Sequence, residues 1–205
     1  NDEAGYIAET LLAAGGHLQH IQKLQDRRVA LEKDPARKVV LLRQFGIVWQ
    51  VRLNNADMAA YFFRQALEYA YSIGGVVLRD ENDAEWHLGA YHMLKKAAER
   101  SGNSDGLIEL AARGLQVVAD QPDASLLAIL GGEIAWKLRQ DVDNARKLLA
   151  YGAAQAPRHP TIVAFTKQVG PLQAPADDSA ARAAAEKAAA EKAAAEKAAA
   201  EKAAA

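Results

Sequence analysis

The chain has no cysteine, and that absence removes disulfides, thiolate metal sites and cysteine nucleophiles together. It leaves the compartment open, because oxidising and reducing environments both tolerate cysteine-free proteins. Net charge is missing too: 25 basic and 26 acidic side chains leave −1 over 205 residues, so the electrostatic footprint of a nucleic-acid binder is absent. No apolar run reaches the roughly 18 residues that a membrane-spanning helix requires. The opening stretch, "NDEAGYIAETLLAAGG", has no basic region ahead of its apolar residues, so it begins like a fragment or like a mature form whose signal peptide has been removed. Prolines number six, and few β-branched residues alternate with polar ones, so strand signals are nearly missing.

What is present is helical spacing, with half of the residues apolar. Breaks fall at Gly15-Gly16, Asp34-Pro35, Asn54-Asn55, Gly74-Gly75, Asp80 to Asp83, Gly102-Asn103, Gln121-Pro122, Asp141 to Asp143 and Pro157 to Pro160. They leave segments of helix length whose short connections predict antiparallel neighbours. Pro35 and Pro122 mark helix starts, since the N–H that proline lacks has no partner in a first turn. The stretch "VVLLRQFGIVWQVRL", Val39 to Leu53, is apolar nearly all round and predicts a helix buried on more than one side. Its successor sets Met58, Ala59, Phe62, Phe63, Ala66, Leu67 and Ala70 at helical spacing, which predicts a tight helix pair with small residues at the contact.

Candidate chemistry is sparse. Asp141-Val142-Asp143-Asn144 has the look of a calcium loop, but that loop needs a glycine at its sixth position and a glutamate at its twelfth, where this chain has Arg146 and Gly152. The aspartates are expected instead to cap a helix that begins there, Asp143 or Asp141 accepting from its free N–H groups. His17 and His20 share a helix face as two candidate metal ligands without a third, so solvated polar positions are the expected reading. His87 and His92 point to different faces, and His159 sits in a turn between prolines. No nucleophile elbow, dinucleotide fingerprint or phosphate loop occurs. Neither an enzyme, a cofactor nor a metal is expected.

Phe45-Gly46, Trp49, Ala59, Phe63 and Ala66 alternate large and small residues in a way that resembles a tetratricopeptide repeat. A second copy is cleaner: Ala145, Leu149, Gly152 and Pro157 match the second-helix positions of that repeat, with Leu130-Gly131 in its first helix. A third runs through Tyr91, Leu94, Ala98, Leu107, Ala111 and Gly114. The stretch from Leu11 to Ala70 is similar to the repeats of long myxobacterial and deltaproteobacterial tetratricopeptide (TPR) proteins: a glycine turn, a helix with Arg27-Arg28, a turn at Asp34-Pro35-Ala36 and a helix "LLRQFGIVW".

The resemblance implies an all-α fold over residues 1–169, a right-handed superhelix of about four antiparallel helix pairs with a closing helix near Thr161 to Val169. It also implies a concave groove that takes a partner's peptide or helix, lined by Arg43 and Gln50, then His92, Lys96 and Arg100, then Trp136. Arginines fork onto carboxylates and tryptophan anchors, so the expected ligand is an acidic or C-terminal peptide with one apolar anchor. The plainer reading is that Trp136 packs between helices and the basic residues are solvated.

Residues 170–179, "GPLQAPADDS", read as a linker. Residues 180–205 are alanine, glutamate and lysine apart from Arg182, a helix by propensity whose period of five spirals its charges around the axis and suits a solvated spacer. Lys187 to Glu191 and Lys192 to Glu196 run in the less favourable order for i, i+4 pairs, and natural and engineered origins both stay open.

The function expected is a protein–protein scaffold or adaptor in a bacterial envelope, motility or polarity assembly. The alternative is a structural module that self-associates or spans the envelope as a spacer. A helical metal-dependent enzyme using His17 and His20 comes third.

Overall fold

The computed structural model describes residues 2–75, 78, 86–119 and 121–172. The break at Asp80 to Asp83, most of the expected linker and the alanine-rich tail lie outside the described residues. Within them the chain is all helical, with no strand: α1 (Asp2–Ala14), α2 (Leu18–Leu31), α3 (Pro35–Ile47), α4 (Ala56–Ser72), α5 (Trp86–Ser101), α6 (Leu107–Val118), α7 (Ala124–Lys137), α8 (Val142–Ala153) and α9 (Pro160–Val169). A π-helical turn, Val48–Arg52, continues α3.

The helix starts follow local chemistry. Asp34 caps α3, its carboxylate accepting from the N–H groups of Ala36 at 2.8 Å and Arg37 at 3.1 Å, with Pro35 at the first helical position. Asn55 caps α4 by accepting from Met58 N–H at 3.0 Å. Of the two aspartates ahead of α8, Asp141 is the cap: it accepts from the Asn144 backbone N–H at 3.1 Å and from the Asn144 amide at 2.7 Å. Those bonds hold its carboxyl below the ordinary carboxylate range. His159 caps α9 through Nδ1, which accepts from Thr161 N–H at 3.3 Å. Only Pro122 departs from expectation. It lies in a turn ahead of α7, which starts at Ala124.

Packing runs between consecutive helices and between next-but-one helices. α3 lies on α4 and α7 on α8, while α4 reaches α6, α5 reaches α7 and α7 reaches α9. The α5–α6 pair is different, for each packs chiefly on α4 and α7 rather than on its partner, in the stretch where the repeat-like spacing is weakest. One apolar core runs from Ile21 in α2 to Ile134 in α7. A second joins Ile129 and Ala135 of α7 to Leu149 of α8 and Phe165 of α9.

Small residues let these helices approach. A Cβ on Gly46 would lie 2.8 Å from the Phe63 ring, and one on Gly132 would lie 2.7 Å from Leu149. One on Gly152 would meet Ile129 Cγ1 at 2.6 Å and the Ser125 carbonyl oxygen at 3.1 Å, and Ala145 is fully buried beside it in the α7–α8 contact. Ala145 and Gly152, small residues at matched positions of the repeat-like spacing, both face α7. Since an added side chain at either site has no room, Gly152→Val and Ala145→Leu are each expected to cost about 1–3 kcal/mol of stability. An unchanged denaturation midpoint for both would rule out close α7–α8 packing.

Candidate functional site

Two side-chain contacts reach from α3 and its π turn to α5. The Arg43 guanidinium lies 5.4 Å from the centre of the Trp86 ring, and Gln50 Nε2 contacts Met93 Sδ at 3.8 Å. Helix α5 turns His87, Tyr91, Leu94 and Ala98 inward, at i, i+4, i+7 and i+11. The opposite side carries exposed Gly89, half-buried His92 and exposed Lys96 and Arg100. Arg100 pairs with Asp57 of α4 at 3.1 Å, an exposed contact of the kind that contributes about 0–1 kcal/mol. A Cβ on Gly89 would meet open space, so nothing among the described residues requires glycine there, although it costs the helix about 0.5–1 kcal/mol relative to alanine.

Trp136 stands apart from the other five. It is half-buried, and its ring meets Phe165 of α9 edge-on with centroids 5.3 Å apart, so much of its face is used in packing the second core. The side chain that links α5 to α7 is one that sequence reasoning passed over. Lys95, nearly buried, bridges Glu99 and Glu133 at 3.1 Å each, and Glu133 also receives Lys137 at 2.7 Å. Burial pushes the Glu133 carboxyl up, but the hydrogen bonds and charges of Lys137 and Lys95 outweigh it and hold the group below its ordinary range. Burial likewise acts to lower Lys95, and Glu99 with Glu133 raises it overall. The signal available in the sequence was the i, i+4 spacing of Lys95 with Glu99 and of Glu133 with Lys137.

The polar chemistry of the interior was not foreseen. His87 Nε2 and Asp123 Oδ2 lie 2.7 Å apart, both buried. Asp123 occupies the cap position of α7 without capping it. His87 Nδ1 and the Tyr71 hydroxyl are buried with no hydrogen-bond partner among the described residues. Burial, with the Asp123 charge added, pushes the Tyr71 phenol well above its usual range. Tyr91 donates to the Leu107 carbonyl at 2.5 Å. On the other side of the core, Trp49 Nε1 donates to Gln25 Oε1 at 2.7 Å.

His17 and His20 meet edge-on with ring centroids 5.7 Å apart. Among the described residues no group of three histidines or carboxylates is placed to hold a metal ion, and no helix is long and apolar enough to cross a membrane. A scan against protein-family models finds no match to the chain, and searches of curated proteins and of solved structures find no relative.

Proposed function

We propose that the chain is a TPR-like protein–protein scaffold, its helices stacked as a superhelix, that holds an acidic peptide or helix across the surface shared by α3, α5 and α7, without catalysing a reaction. One observation carries the reading. The links Arg43 to Trp86, Gln50 to Met93 and Lys95 to Glu133 connect α3 to α5 and α5 to α7, and Lys96 stands exposed two turns beyond Gly89 on the same side of α5. A lysine and an arginine one turn apart favour carboxylates, and a helix glycine without a neighbour admits a partner's backbone.

The test is a quantitative pulldown with the intact chain and with Lys96→Ala/Arg100→Ala. The double variant is expected to lose a partner that the parent retains, by tenfold or more, while its melting temperature stays within about 2 °C, since only an exposed ion pair is removed. Unfolding of the variant would sink the assignment. Recovery of nothing but further copies of this chain, with a native mass to match, would favour the self-associating structural module.

A further inference from the structure

The strongest unexplained surface lies on α3. Val40, Ile47 and Val51 are 41%, 40% and 71% exposed, on a helix whose other apolar residues Val39, Leu42, Phe45 and Trp49 form the core. At 100° per residue Val40, Gln44 and Ile47 share one narrow side of the wheel, and Val51 follows one turn later in the π turn. The stripe is therefore about 16 Å long, some three helical turns. A cleft of about 730 Å³ opens beside its first half, at Val40 and Gln44, with Leu41, Phe45 and Val48 in its wall and Leu31 of α2, 70% exposed, at its edge.

Charge says what would cover it. From Pro35 to Leu53 the chain has Arg37, Lys38, Arg43 and Arg52 and neither aspartate nor glutamate, within a protein whose net charge is only −1. Arg37 and Arg43 fall about 60° to either side of the stripe. Lys38 is turned away, its ammonium 5.2 Å from the Tyr69 ring of α4. The acids at the edge of the cleft are engaged within the chain: Glu9 pairs with Arg28 at 3.1 Å, and Glu32 accepts from Asp34 N–H at 2.9 Å.

We propose that Val40, Gln44, Ile47 and Val51 seat an amphipathic helix of a partner protein, its apolar ridge laid along the stripe and a flanking carboxylate set against Arg37. This rests on the scaffold reading and specifies its ligand: a helix of about three turns or more rather than an extended peptide. An apolar ridge on a helical groove supplies the burial, and Arg37, in a segment without acidic residues, favours an acidic partner over a basic one.

The probe is a labelled synthetic helix with leucines at i, i+4, i+7 and i+11 flanked by glutamates, compared with one carrying lysine at each glutamate, and binding is read by fluorescence anisotropy. The acidic helix is expected to bind the full chain at least tenfold more tightly than the basic one. Ile47→Ser/Val51→Ser is expected to weaken it at least tenfold with an unchanged melting curve, and Arg37→Glu to weaken it while reducing the salt dependence. Equal binding of the two helices, binding of neither, or indifference to the serine variant would overturn the seat. A native mass showing that the stripe is buried between copies, released by the same serines, would overturn it as well. Loss of the acidic helix in the serine variant but not in Lys96→Ala/Arg100→Ala would support the seat and overturn the α5-centred site. The reverse pattern would overturn the seat and leave the scaffold reading standing.

Discussion

His87→Ala is expected to lose about 3–5 kcal/mol of folding stability, because it leaves the Asp123 carboxylate in the interior without its imidazole. Both groups are excluded from water and 2.7 Å apart, so neither can recover hydration when the other is removed. The loss is large against the 5–15 kcal/mol that separates folded from unfolded domains, and the variant should unfold at much lower urea or populate the unfolded state without it. His87→Leu combined with Asp123→Ala should recover part of the loss, since removing both polar groups ends the demand for a partner. The check is urea unfolding followed by circular dichroism on the four chains of the double-mutant cycle. A cost below about 1 kcal/mol for His87→Ala would mean that the pair does not hold α5 to the start of α7.

Trp49→Ala should be comparably damaging. The indole is 1% exposed, and its removal costs about 3–5 kcal/mol for lost burial and the cavity left behind. A further loss comes from Gln25, whose Oε1 accepts from the indole at 2.7 Å while its Nε2 has no partner among the described residues. Trp49→Phe separates the two contributions, keeping most of the volume but leaving the amide oxygen unsatisfied, for an expected cost of about 1–3 kcal/mol. Trp49→Phe with Gln25→Leu should be more stable than Trp49→Phe alone. If it is not, the hydrogen bond contributes nothing and burial accounts for the whole effect.

The helices were legible where the signal is local. Asp34-Pro35, Asn55, Asp141 and Pro160 each sit where a helix begins, because a cap or an N-terminal proline acts on N–H groups two or three residues away. The small residues at Gly46, Ala145 and Gly152 were legible as contacts because their spacing matches the helical period. Pro122 misled by two residues, since the neighbouring Asp123 turns to His87 rather than to the helix end. Of the residues read as lining a groove, Arg43 meets Trp86 and Gln50 meets Met93 across α3 and α5, and His92, Lys96 and Arg100 lie on the side of α5 away from the core. The Trp136 ring meets Phe165 from a helix about thirty residues further along, a contact that local spacing does not encode.

By itself the sequence determined that this protein is built of helices, where most of them start, and which small residues let them touch. These follow from periods of 3.6 residues and from hydrogen bonds that span a single turn. Only the tertiary structure decided that His87 meets Asp123, that Gln25 meets Trp49, that Lys95 rather than Lys96 ties α5 to α7, and that α3 keeps an apolar stripe uncovered. Those outcomes depend on which side of each helix faces a neighbour distant in sequence, and a rotation of one residue, 100° on the wheel, exchanges an interior lysine for an exposed one.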